Sequence, residues 1–298
     1  MVCSRRVLGL GTLIAACGPG GPGAGDTTSG VDQPSTATSD AEGASSTTTG
    51  SADCPIRIEG DFTVETPEDA LGLASVSGLL VVGLDDDDPT PDLSFLGCLE
   101  SVDHLFVGGT EALTSLDGLT SLTSLNSLTV LYAPRLTTIR GAAWMREMTL
   151  LRVGAVDALE SVDFPGLERL QKLSVNTAKA LETLSFPSLR TVGYIQVGSC
   201  FEYSSPNASP LWTSFDGFPA IEEIGIFFVE SMYGMAHLDI LDSLLANDGT
   251  ITGAASIRYN PMLPEAEVLE QLAALGVQGD VICANLGGKE ECTCGLPD

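Results

Sequence analysis

The sequence predicts a mainly β fold: a right-handed parallel β-solenoid of about ten 22–23-residue rungs, closed by a C-terminal helix. Three observations lead there. Apolar residues recur every 23 residues, a pair two apart in each period has strand alternation, and one helical segment beside a cysteine-rich tail ends the pattern.

The period is plainest from Leu93. Apolar residues fall at Leu93, Leu96, Leu99, Val102, Leu105, Val107 and Leu113. They return 23 later at Leu116, Leu119, Leu122, Leu125, Leu128, Val130 and Leu136, and again from Ile139 through Met148, Leu151, Val153 and Leu159. A unit this short cannot bury its apolar side alone, and stacking creates one continuous core. Pairs such as Leu105 and Val107 read as short half-buried strands, and the preceding triplet spacing reads as a tighter wall with every third residue inward. Parallel pairing at about 4.8 Å per strand makes the rod roughly 45 Å long.

Upstream, Phe62 and Val64 read as the first strand and Leu79 and Val81 as the next, followed by an acidic loop from Asp85 to Asp92. Downstream, the strand pairs continue at Leu173 and Val175, Ile195 and Val197, and Phe227 and Val229, with an insertion from Cys200 to Trp212. Ile257 to Leu263 is one more strand and turn. Pro264 to Leu275 then reads as a capping helix, with proline first, Glu265 and Glu267 in the first turn, and Gly276 as the stop.

Residues 1–16 have the pattern of an export signal: Arg5 and Arg6, then a short apolar run, too short to span a membrane. Ile14-Ala15-Ala16-Cys17 resembles the lipobox of bacterial lipoproteins, which makes Cys17 the lipidation site; an ordinary signal with an incidental cysteine is the other reading. Residues 17–53 are a Gly/Ser/Thr-rich tether with no aromatic residue, spanning on the order of 35 Å as a flexible chain. The folded domain is residues 54–298, a β-solenoid with its C-terminal cap.

Removing Arg5 and Arg6 with the signal leaves 11 of the 13 basic residues against 40 acidic ones, a net charge of −29. That excess disfavours nucleic acid and anionic lipid as partners of the domain, so the membrane is reached only through the N-terminal lipid. Six cysteines remain for disulfides in an exported chain: Cys54, Cys98, Cys200, Cys283, Cys292 and Cys294, with Cys283 expected to bridge Cys292 or Cys294 at the cap. No histidine lies near that cluster, which disfavours zinc. The Asp85–Asp88 run lacks the spaced ligands of a calcium loop, so no metal and no cofactor is expected.

Cys54 to Val64 is similar to the opening of receptor L domains of the insulin and epidermal growth factor receptors. Leu184-Ser185-Phe186-Pro187-Ser188-Leu189-Arg190-Thr191-Val192 resembles the repeated phrase of receptor-L repeats in fungal cell-wall proteins, and Phe164-Pro165 and Phe218-Pro219 repeat it. With the lipobox, the tether and Asn260-Pro261-Met262-Leu263, residues 54 to about 285 look like leucine-rich-repeat-related lipoproteins of the myxobacterial type. The resemblance implies a receptor L-domain-like solenoid in the cell envelope. One departure stands out: leucine-rich repeats carry an asparagine three residues after the strand, whereas Thr110, Ala133, Val156 and Ala178 occupy that position here. Alternating helices are therefore not expected.

If the strand pairs point inward, their neighbours form an outer sheet face. That face comprises Leu80, Val82, His104, Phe106, Leu131, Leu150, Arg152, Lys172, Asn176, Tyr194, Gln196, Ile226, Phe228 and Arg258. It is the candidate binding face, rich in the residue types of contact surfaces. Catalysis finds no support: the two histidines, His104 and His237, flank no nucleophile motif, and no carboxylates pair on adjacent rungs of the face. The expected function is a cell-envelope lipoprotein, periplasmic or surface-exposed, that binds a protein or glycan partner through this face. The alternatives are a structural or adhesion component without a discrete ligand, and a solenoid polysaccharide-degrading enzyme. A last expectation concerns register: the column Ser94, Asp117, Arg140, Asp163, Ser185, Asp216 places Arg140 between two aspartates.

Overall fold

The structure, a computed structural model, describes residues 54–84, 89–198, 211–277 and 281–288. Cys17, the tether, Asp85 to Asp88, Cys200, Cys292 and Cys294 lie outside the described residues. The fold is mainly β and its strands pair in parallel. The first half of the chain forms β1 (Ile56–Ile58), β2 (Phe62–Val64), β3 (Leu73–Val82), β4 (Ser101–Gly108), β5 (Ser124–Leu131), β6 (Thr138–Arg140) and β7 (Glu147–Gly154). The second half forms β8 (Ser161–Asp163), β9 (Arg169–Asn176), β10 (Thr183–Ser185), β11 (Thr191–Gly198), β12 (Glu223–Glu230), α1 (Asp239–Ala246), β13 (Thr250–Ile251), β14 (Ala255–Arg258), α2 (Glu265–Ala274) and β15 (Val281–Cys283).

Twelve strands make one parallel sheet in the order β1-β3-β4-β5-β7-β9-β11-β12-β14-β15, with β2 on β3 and β13 on β12. A second, three-stranded sheet runs β10-β8-β6. The register follows the repeat. Leu105 pairs with Leu128, Leu128 with Leu151, Leu151 with Leu173, Leu173 with Ile195, and Ile195 with Phe227. Val107, Val130, Val153, Val175, Val197, Val229 and Ile257 form a parallel column. Both columns are buried, Leu128 being the most exposed at 4%. Parallel strands need a crossover of a dozen or more residues, and each repeat supplies its own return path.

The return path is packed as tightly as the sheet. Phe164, Phe186 and Phe218 stack with ring centroids 5.6 and 5.1 Å apart, each at most 1% exposed. The predicted charge column is in register: Arg140 pairs with Asp163 in the β6–β8 ladder, and its Nε lies 3.7 Å from the carboxylate. The bridge between Ser115 and Thr138 sets Asp117 level with Arg140 one repeat earlier.

The expected disulfide framework is present where it is described. Cys54 is bonded to Cys98, tying β1 to the turn before β4. Cys283 is also disulfide-bonded.

Two expectations are corrected. In β3 the outward residues are Leu79 and Val81, while Leu80 and Val82 are fully buried. A β-bulge is the cause: Val76 pairs with Val102 but Leu79 with His104, so β3 holds one residue more than its neighbour there. One residue of slip exchanges the two faces. The extra residue sits at Ser77-Gly78, where the Leu79 N–H donates to Asp61 Oδ1 at 2.8 Å and a Cβ on Gly78 would come within 2.4 Å of that oxygen.

The second correction concerns asparagine and helices. Thr110, Ala133, Val156 and Ala178 are buried, but the same column becomes Asn260 and Asn285 in the last two repeats. Asn260 Nδ2 donates to the Val229 carbonyl at 3.0 Å, and its Oδ1 accepts from Met232 N–H at 2.9 Å. Asn285 Nδ2 donates to the Ile257 carbonyl at 2.8 Å, and Asn260 Nδ2 also reaches Asn285 Oδ1 at 3.0 Å. Helices appear in the same C-terminal part of the chain, α1 in the repeat before Asn260 and α2 in the repeat after it. The expected C-terminal helix is α2, but α1 was not anticipated. It buries Ile240, Leu241 and Leu244, and Gln271 Nε2 of α2 donates to its Asp242 at 2.8 Å. No helix among the described residues is long and apolar enough to cross a membrane.

Three substitutions separate these contributions in one urea-unfolding series. Phe186→Ala is expected to cost about 3–5 kcal/mol through the cavity it leaves in the ring stack. Asn260→Ala is expected to cost about 2–4 kcal/mol, because the Met232 N–H and the Val229 carbonyl both lose a buried partner. Arg140→Ala is expected to cost about 1 kcal/mol or less, its ion pair being solvent-exposed.

Candidate binding face

In each central strand the inward residues are the second, fifth and seventh, as in Val102, Leu105 and Val107 of β4. The fourth, sixth and eighth therefore line the outer face. The fourth position reads Leu79, His104, Ser127, Leu150, Lys172, Tyr194 and Ile226 across neighbouring strands. The sixth reads Val81, Phe106, Thr129, Arg152, Ser174, Gln196, Phe228 and Ser256. The strand ends add Leu131, Asn176, Glu230 and Arg258.

The structure thus assembles most of the expected residues on one surface. Arg152 and Lys172 are exposed; His104, Phe106, Leu131, Leu150, Asn176, Tyr194, Gln196 and Ile226 are half-buried. Leu80 and Val82 leave the set, replaced by Leu79 and Val81. Phe228 and Arg258 belong to the face by register but are only 5% and 3% exposed. Phe228 packs against the Tyr194 ring at 5.6 Å, edge to face. Arg258 is held by Glu230, with Nε and Nη2 each 2.7 Å from the carboxylate, and Ser256 Oγ donates to the same oxygen at 3.1 Å. An arginine read as solvent-facing is therefore one half of a buried ion pair. The signal was present in the sequence, since Glu230 falls at the same strand end one repeat earlier.

Several contacts order the side chains of the face. His104 Nε2 lies 2.9 Å from Thr129 Oγ1 on the next strand. Lys172 Nζ sits 4.6 Å from the centre of the Tyr194 ring, a cation–π contact. Phe106 lies against the backbone of Gly108, where a Cβ would come within 2.5 Å of the ring, so Gly108 is needed for that pose.

The electrostatics differ from the rest of the chain. In a protein of 40 acidic residues, Glu230 is the sole carboxylate in these columns among the described residues, and Arg258 neutralises it. Of the acids in neighbouring columns, Asp103 and Glu147 are engaged, whereas Glu223, in the Glu147 column, makes no ion pair among the described residues. Asp103 accepts from Asn126 Nδ2 at 3.1 Å, and Glu147 is paired with Arg169. Asn126 in turn accepts from Thr149 Oγ1 at 2.6 Å, making a polar row along a groove of about 330 Å³ beside the face. Among the described residues no cluster of three His, Cys, Asp or Glu side chains could hold a metal ion.

Burial lowers the pKa of His104 below its ordinary 6.5, opposed by the charge of Asp103. The unfolded chain therefore binds a proton before the folded one does, and the contribution present at neutral pH is lost as pH falls below the unfolded value. Between about pH 7 and pH 5, His104→Gln is expected to lose less stability than the parent, measured as the difference in urea midpoint at each pH.

No family model, curated protein or solved structure matches the chain.

Proposed function

We propose that this protein is a cell-envelope lipoprotein, anchored through lipid on Cys17, that binds a protein or glycan partner through the outer face of a parallel β-solenoid. In this reading residues 54–298 form a right-handed solenoid of about ten rungs, akin to receptor L domains and capped by α2 and the cysteine-rich tail. The observation that carries it is the composition of the face. Partly exposed Leu79, Val81, Phe106, Leu150, Tyr194 and Ile226 lie in two columns of one sheet face, interrupted by Ser127, Thr129, Lys172 and Ser174, and these columns hold no unpaired carboxylate in an otherwise strongly acidic protein. Apolar residues gathered on one sheet face fit a contact site better than singly scattered exposed leucines would.

A photo-crosslinking amino acid at Phe106 or Leu150 is expected to yield partner adducts in intact envelopes, and one at Thr183 in the three-stranded sheet is not. Equal labelling from all three positions would remove the face as the binding surface. Cys17→Ser is expected to abolish metabolic palmitate incorporation and leave the protein soluble; equal labelling of both forms would remove the lipid anchor.

A further inference from the structure

Ion pairing engages seven of the ten basic side chains among the described residues. Among the described residues Arg57, Arg140, Arg146, Arg169, Lys179, Arg190 and Arg258 each pair with a carboxylate. Three make no salt bridge: Arg135, Arg152 and Lys172. Arg135 stands alone in a turn. Arg152 and Lys172 stand together on adjacent strands of the outer face, because Lys172 pairs with Leu150 and Arg152 with Ser174 in the β7–β9 register. In a chain of 40 acidic and 13 basic residues, these two neighbouring cations have no carboxylate paired to them.

The surroundings define the rest of the ligand. Leu150 and Ile226 share a column with Lys172, and Phe106 shares one with Arg152. The aromatic rings are not open platforms for a sugar: Tyr194 has Lys172 over its face and Phe228 against it, and Phe106 lies on Gly108. We infer that the occupant of this face is an acidic protein segment, whose carboxylates meet Arg152 and Lys172 and whose aliphatic side chains cover Leu150 and Ile226. The inference rests on the reading of this face as the binding surface and names the chemistry it selects. Paired charges of this type govern specificity and association rate, with salt dependence as their signature.

The test uses the mature chain and three fluorescent probes: a peptide of alternating glutamate and leucine, the same peptide with glutamine for glutamate, and polygalacturonate. Anisotropy titrations are expected to show binding of the glutamate–leucine peptide that weakens with added salt. The double variant Arg152→Glu/Lys172→Glu is expected to weaken it by about tenfold or more, while Arg135→Glu leaves it unchanged. Circular dichroism checks that both variants remain folded, as expected for exposed positions. Equal binding of the glutamine peptide, equal loss in Arg135→Glu, or tighter binding of polygalacturonate would overturn the inference. Face-specific crosslinks that survive the double charge reversal would overturn the acidic partner alone; loss of face-specific crosslinks in the parent would overturn the binding face itself.

Discussion

Inward columns of leucine and valine, stacked in parallel register, are the constraint on which the rest of the structure depends. Leu105, Leu128, Leu151, Leu173, Ile195 and Phe227 stand one above another because each strand bonds to the next without slippage. A strand that slipped by one residue would drive its outer residues, Arg152 or Lys172 among them, into the core at the cost of an unpaired buried charge. The same register sets the phenylalanine stack on the return path and the ion pair of Arg140 with Asp163. It also aligns the outer face, so the surface available to a partner is a by-product of the packing beneath it.

Charge is distributed around this scaffold in a way that composition does not reveal. Most basic residues neutralise acids along the turns and strand edges, where exposed pairs contribute little stability but limit repulsion in a highly acidic chain. The Glu230–Arg258 pair differs, being buried in the strand-end column. Its desolvation cost offsets much of its Coulombic attraction, so loss of one partner would be costlier than the net stabilisation the intact pair supplies. Beyond that pair the asparagines at 260 and 285 satisfy backbone groups that Ala133, Val156 and Ala178 cannot reach.

The sheet was legible in the sequence because its signal is periodic. The spacing from Leu93 to Val197 carries the observed register, and the helix read from Pro264 to Leu275 is present as Glu265–Ala274. What escaped has local causes. The bulge in β3 adds one residue to a strand of otherwise matching composition, so Leu79-Leu80-Val81-Val82 offers four apolar residues and no marker of which face each takes. The corner after most strands was equally hidden, Gly109 after β4 being an exception. Tyr132, Ala155, Thr177, Ser231, Tyr259 and Ala284 all adopt positive φ of 49–58°, a conformation that glycine would have signalled and that these residue types do not. Helix α1 has no counterpart in the sequence reading, although Ile240, Leu241 and Leu244 have helical spacing. On the face, alternation found the columns but not the pairing that buries Arg258 or the packing of Phe228 on Tyr194.

The central claim is that stacked register, repeat by repeat, holds the molecule together, and excision of one repeat tests it directly. Deleting residues 128–150 removes 23 residues and joins Ser127 to Leu151, which restores the inward order of the strand. Deleting residues 128–151 removes 24 and places Arg152 where Leu128 belongs. Cooperative thermal unfolding followed by circular dichroism is expected from the first protein, with stability near the parent's, and no cooperative transition from the second. Equal cooperative unfolding of both deletions would contradict the account.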